Sequence, residues 1–246
     1  MNLSLANATD RAPAVVSVRR QDGRFHTRLR TGLLRPQQLH GPDDRCRVGL
    51  LATNALLLGG DAVELDVDVG AGVSLELYDV AGTVAYHGRG LPASWSVRVR
   101  VAEGGSLRWA GEPLVVADGA DVTRSLLLEL AEGSRALVRE TLVLGRAGQV
   151  GGRLRNRTEV RRAGRPVLAE DAELDPVGHR TLPGMLGTLR VVDSVLALGL
   201  GPPTSHGDRV TMFRLADPGC FLLRYLGDDL AGSPLHQRWA GLQAAN

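Results

Sequence analysis

Gly59 to Tyr86 reads GGDAVELDVDVGAGVSLELYDVAGTVAY, and its alternation decides the fold class. Val63, Leu65, Val67 and Val69 recur at every second position with Glu64, Asp66 and Asp68 between them, the period of a half-buried strand. After Gly70-Ala71-Gly72 the period resumes in Val73, Leu75 and Leu77. The same design returns further on. Val97 to Val101 turns at Gly104-Gly105 into Leu107 to Trp109, and Leu126 to Leu130 turns at Gly133 into Ala136 to Val138. The unit reads as a β-hairpin. Stacking such units so that each covers its neighbour's apolar face predicts a mainly β, β-helix-like or solenoid body.

Toward the N-terminus, residues 1–14 read as a flexible start and 15–246 as a single β domain. Val16 and Val18 alternate into Phe25, Thr27 and Leu29 across Asp22-Gly23, a hairpin signal that Arg35-Pro36 ends. Gln37 to Arg45 is rich in turn residues, and Val48 to Leu58 is an apolar run fit for a strand covered on both faces. Toward the C-terminus, Leu154 and Val160 lead to a turn at Ala163-Gly164 and to renewed alternation over Val167 to Leu174. Pro176, Gly178, Pro183 and Gly184 mark a loop, Thr188 to Leu200 a strand or short helix, and Cys220 to Tyr225 a strand. Leu235 to Gln243 has helical spacing behind Ser233-Pro234, a capping residue and a first-turn proline.

Composition excludes several function classes. A chain of 246 residues can build one sizeable core without disulfides or metal. The net charge of +2 comes from interspersed Arg, Asp and Glu, without basic runs, so nucleic acid is not an expected partner. No stretch has the ~18 apolar residues of a membrane helix, and the N-terminus lacks the charge and apolar core of a signal peptide, so a cytoplasmic protein is expected. Cys46 and Cys220 are then expected to be free, buried thiols. The chain contains no lysine, which rules out a Walker A loop and Schiff-base chemistry of its own.

Local catalytic signatures are missing too. No Gly-x-Ser-x-Gly elbow, Cys-x-x-Cys or His-Glu-x-x-His occurs, and the six histidines are dispersed. What stands out are carboxylates set among apolar positions: Asp61 at a strand start, Glu140 within Ala136 to Leu144, and Glu170 with Asp171 within Val167 to Leu174. A buried lone carboxylate is costly unless paired or bound to a cation. One reading pairs Glu140 with Arg139 or Arg146 and has Asp61 cap a turn. The other turns several of these oxygens toward a common interior through which a divalent cation moves between weak sites.

In order along the chain, Asn54 to Asp61, Leu107 to Trp109 with Ala117 to Ala120, Glu140-Thr-Leu-Val-Leu-Gly-Arg146, Gly152 to Val160, and Arg224 to Asp229 resemble segments of the urease accessory protein UreD family, called UreH in some bacteria. The likeness runs from about Val15 to Leu242. It departs at Leu56-Leu57, where the family has a glycine pair, and at Thr83-Val-Ala-Tyr-His87, which lacks a Lys and an Arg that many members carry. This chain therefore looks like a divergent member. The resemblance implies a nickel-delivery chaperone and not an enzyme, with no tightly bound cofactor and Ni²⁺ only in transit. It implies apo-urease, UreF and, through UreF, the GTPase UreG as partners. By position, Asp61, Thr83, Glu140 and Glu170 correspond to polar residues of the family's internal nickel path. Carboxylates suit passage, because thiolates or several imidazoles would hold the ion too long. The competing readings are a β-solenoid module binding protein or carbohydrate, which needs an exposed aromatic platform, and a metal-dependent hydrolase using Asp61, His87 and Glu140.

Overall fold

The computed structural model describes residues 12–176, 178, 182, 185–201, 209–236, 238 and 239. Its strands are β1 (Ala14–Gln21), β2 (Arg24–Arg30), β3 (Leu34–Leu39), β4 (Cys46–Ala52), β5 (Ala62–Val69), β6 (Ser74–Asp79), β7 (Thr83–Ala85), β8 (Ala93–Val101) and β9 (Ser106–Ala110). They continue as β10 (Leu114–Val116), β11 (Asp121–Leu130), β12 (Arg135–Leu144), β13 (Arg153–Arg162), β14 (Arg165–Leu174), β15 (Val191–Leu198), β16 (Thr211–Arg214) and β17 (Phe221–Gly227). A seven-stranded sheet runs β14-β13-β11-β8-β5-β1-β2, and a ten-stranded sheet runs β16-β17-β15-β12-β9-β6-β4-β3, with β7 and β10 attached beside β12.

The β-helix-like stack is present, but its unit is an arch and not a hairpin. Strands β5 and β6 do not pair with each other: β5 joins the seven-stranded sheet and β6 the ten-stranded one, as do β8 and β9, and β11 and β12. The physical reason lies in the alternation. Both strands of a unit carry one apolar face, and a flat hairpin would lay those faces side by side with nothing over them. Folding over at the glycines sets them face to face. Each strand then pairs in parallel with its counterpart in the next unit, so Val16, Val67, Val99, Leu128 and Val160 form one buried row across the seven-stranded sheet.

The turns stack as well. Gly72 donates its N–H to the Glu103 carbonyl at 3.0 Å, and Arg135 to that of Gly105 at 3.0 Å. Gly72, Gly104 and Gly133 sit at φ of 61°, 64° and 69°, a left-handed conformation that glycine reaches without a Cβ penalty.

True hairpins occur at the two ends of the seven-stranded sheet. Asp22-Gly23 joins β1 to β2 and Ala163-Gly164 joins β13 to β14, each with both turn residues at positive φ, the twist that tight hairpins favour. Pro36 does not break the chain as expected; it lies within β3, the last strand of its sheet, where a missing N–H is tolerated. The strand expected over Val48 to Leu58 ends at Ala52, and Thr53 there bonds back to the Leu33 carbonyl.

A second, smaller core lies on the outer face of the ten-stranded sheet, where Leu137, Val195, Phe221 and Tyr225 pack under Leu235 and Trp239. This explains why β15, Val191–Leu198, is buried at every position: it is covered from both sides. Leu235, His236, Arg238 and Trp239 are helical, with Ser233 Oγ accepting the Leu235 N–H at 3.2 Å as a cap. The rest of the helix expected to Gln243, and the loose start over residues 1–11, lie outside the described residues. Cys46 and Cys220 are free and buried, and burial pushes both thiols above their usual range. No helix among the described residues is long and apolar enough to cross a membrane.

Candidate functional site

Within the main core, a band of polar side chains occupies positions whose strand phase is otherwise apolar. On β11, Arg124 stands in phase with Val122, Leu126, Leu128 and Leu130. Its register partners are Trp95 on β8 and Asn156 on β13. On the facing sheet, Glu140 follows Val138 by two residues and aligns with Ser194 on β15, which aligns with Arg224 on β17. Asp79 ends β6 in the phase of Leu75 and Leu77.

These groups satisfy one another across the core. Glu140 forms an ion pair with Arg124 and accepts the Asn156 amide at 2.9 Å, while the Asn156 oxygen accepts from Arg124 at 3.3 Å. Arg224 donates to both oxygens of Glu170 at 2.6 and 2.8 Å, and through Nε to Ser194 at 3.1 Å. Both carboxylates are thus charge-compensated. Two small cavities adjoin this band. One, of about 30 Å³, has Asp79, Thr83, Trp95, Arg124 and Glu140 in its wall. The other, of about 20 Å³, is bounded by Glu140, Thr158, Glu170, Ser194 and Arg224. They share Val138 and Glu140, so Glu140 stands between them. At about 10–15 Å³ per water, both are large enough to hold water.

Asp79 is the most perturbed acid of the band. Burial pushes its carboxyl up to about 6, opposed by the Trp109 indole N–H at 3.0 Å, the Glu112 amide at 3.1 Å and the charge of Arg124. Burial likewise pulls the Arg124 guanidinium down to about 10, with Asp79 opposing, which leaves it cationic at neutral pH. Trp95 is 8% exposed, and its indole N–H has no protein acceptor among the described residues.

A second polar node lies on the outer face of the ten-stranded sheet. Asp193 is fully buried and accepts from Arg139 at 3.0 and 2.9 Å, Thr141 at 2.9 Å and Ser233 at 2.6 Å. This ties the capped C-terminal turn to β12 and β15.

Of the residues singled out in the sequence, Thr83, Glu140 and Glu170 fall along the two adjoining cavities. Asp61 does not; it closes a turn, its Oδ2 accepting the Leu58 N–H at 3.0 Å, and its carbonyl accepts from Ser94, the neighbour of Trp95. Glu140 pairs with neither Arg139 nor Arg146, since Arg139 points to the outer face and binds Asp193. Asp171 points to solvent and bonds Arg155 and Arg157, which hold it down at about 2. Among the described residues no group of three or more His, Cys, Asp and Glu could hold a metal ion. His87 is exposed and lines neither cavity, its Nδ1 accepting the Arg89 N–H at 3.0 Å.

The family model described as UreD urease accessory protein matches residues 11–238. The chain belongs to the UreD family. It is 47% identical over 194 residues to urease accessory protein UreD 1 of Streptomyces griseus, covering 78% of this chain and 76% of that one. It is 37% identical over 212 residues to the UreD of Frankia alni, covering 77% and 71%. It is 32% identical over 198 residues to UreD 2 of Saccharopolyspora erythraea, covering 78% and 67%. These relatives are named as urease accessory proteins and not as enzymes.

Proposed function

We propose that this chain is a nickel-delivery chaperone for urease. In this reading it binds apo-urease together with UreF, which brings the GTPase UreG, and Ni²⁺ passes through its interior along Thr83, Glu140 and Glu170. The observation that supports this most is the polar band that crosses an otherwise apolar core, with Glu140 standing between two cavities that Thr83 and Glu170 line on either side. Packing alone gives no reason for it, since a buried ion pair is often no better for stability than apolar residues of the same volume. Carboxylates that already have arginine partners suit a cargo ion, because nothing in the band would retain it as a resident metal.

The test is urease maturation in cells that carry the urease genes and this chain as the only UreD. Glu140→Gln with Glu170→Gln is expected to leave urease present at parental levels and to lower its nickel content and activity at least tenfold. Co-purification of the double variant with urease and UreF should stay parental. Parental nickel content in the double variant overturns the internal path. Failure of the parental chain to co-purify with either partner overturns the scaffold.

A further inference from the structure

The charges around the larger cavity do not match one to one. Of the charged side chains in its wall, Glu112 is exposed and Arg139 is engaged by Asp193. That leaves two carboxylates, Asp79 and Glu140, and one guanidinium, Arg124. Arg124 is paired with Glu140. Asp79, held by two neutral donors, has no ion-pair partner within bonding distance among the described residues, yet feels the charge of Arg124. The Trp95 indole, in the same wall, carries a donor that no protein group among the described residues accepts.

We propose that Arg124 is a displaceable internal counter-ion: at rest its guanidinium occupies the place on Glu140 that a divalent cation takes in passing, and Asp79 is the second carboxylate onto which it moves. This rests on the transit reading given above and adds its regulation. Breaking a buried ion pair is expensive chiefly because it leaves a bare charge behind. Here neither step does so, since the cation takes over Glu140 while Arg124 takes over Asp79. When the cation leaves, Arg124 returns. A tethered competitor also acts at a high effective concentration, which keeps the ion's hold on Glu140 weak without weakening the carboxylate itself. The unpartnered Trp95 N–H suits the same picture, because it favours an oxygen in the cavity, water carried with the ion or left by it.

Equilibrium dialysis of the full chain against Ni²⁺ tests this directly. Arg124→Gln is expected to bind one Ni²⁺ at least tenfold more tightly than the parent, a gain that damage to the fold would not produce. Adding Glu140→Gln should abolish the gain. Asp79→Asn alone should weaken binding about threefold or more, since the displaced guanidinium then has no carboxylate to receive it. Where circular dichroism shows Arg124→Gln unfolded, Arg124→Lys replaces it, with a several-fold gain expected that Glu140→Gln again removes. Unchanged affinity in the folded Arg124 variant, a gain that survives loss of Glu140, or parental affinity in Asp79→Asn overturns the exchange. If the gain depends on Glu140 but Glu140→Gln still loads urease at the parental rate, the exchange stands and the transit reading falls. The opposite pair of results removes the exchange alone.

Discussion

Arg224 and Glu170 stand on different sheets and clasp each other through both terminal guanidinium nitrogens, at 2.6 and 2.8 Å. Glu170 lies on β14, the last strand of the seven-stranded sheet, and Arg224 on β17, next to last in the other. The pair therefore pins the two sheets to each other near one end of the stack. Its side chains are 20% and 28% exposed, so the Coulomb energy is only partly screened.

Arg224→Ala is expected to cost about 2–3 kcal/mol, because it strands a largely enclosed carboxylate and unmakes the bond to Ser194. Changing both residues to Ala should cost less than the two single losses added, with a coupling of about 1–2 kcal/mol. Urea unfolding of the four proteins measures it. Strict additivity would mean that the clasp seen between the sheets contributes nothing.

The outer node yields a local prediction. Asp193 accepts from Arg139, Thr141 and Ser233, and Ser233 in turn caps the helical turn that carries Trp239. Ser233→Ala should cost about 1–2 kcal/mol through the lost bond and cap. Asp193→Ala should cost more, about 3–5 kcal/mol, since Arg139 would be left without its carboxylate. Both should make Trp239, buried at present, accessible to a fluorescence quencher before global unfolding. Simultaneous loss of quencher protection and of sheet structure would show that the turn is not a separable layer.

How much of this was readable from residues alone follows from the geometry. The alternation over Val63 to Leu77 marks two strands with one apolar face each and a glycine turn between them, so the stack and its repeat are legible. Whether the turn makes a hairpin or an arch is not, because both satisfy period two; the difference lies in which strands share hydrogen bonds, set by units about thirty residues apart in register, as Val67 with Val99. Asp22-Gly23 could be read as a hairpin because Asp-Gly suits the positive φ that both residues of a tight turn adopt there, whereas Ala163-Gly164 reads only as a turn, and its pairing of β13 with β14 needs the structure. For the site, a carboxylate in an apolar strand was signal enough for Glu140. Asp79, Arg124, Asn156 and Arg224 carry the same signal, a polar residue in the apolar phase, but their meaning depends on what faces them across the core. Only the face-to-face arrangement supplies that. Asp61 has the opposite history: it follows two glycines at a strand start, and the turn claims its carboxylate.

The raised Asp79 carboxyl gives stability a pH dependence of defined sign. Its folded value is about 6 against 3.8 unexposed to burial, so between those values the folded state binds more proton than the unfolded one. The carboxyl therefore favours folding most below about pH 4, and that contribution is lost as pH rises through about 6. The difference corresponds to roughly 2–3 kcal/mol. Asp79→Asn cannot titrate, so its stability relative to the parent should rise by that amount from pH 4 to pH 7. Denaturant unfolding at half-unit steps of pH measures it, and parallel pH profiles for the two proteins would contradict an enclosed, ionisable Asp79.

Two glycines separate the demands of turn and packing. Gly72 needs its positive φ of 61° to start the return arm of an arch, but a Cβ there would meet nothing within 4 Å. Gly72→Ala should therefore cost only the left-handed penalty, about 1–2 kcal/mol. Gly152 has no such φ, yet a Cβ would lie 2.3 Å from the Ala120 carbonyl oxygen and 2.6 Å from that of Ala117. Those are backbone atoms, held by the bonds from Gly152 N–H to the Val116 carbonyl and from Arg153 N–H to that of Ala120. They cannot rotate aside as a side chain would, so the start of β13 must move away from the loop that precedes β11. Gly152→Ala should accordingly cost about 3 kcal/mol or more and raise amide exchange at Arg153. Unfolding free energies that ranked Gly72→Ala as the more damaging change would mean that this close approach is not a feature of the folded chain.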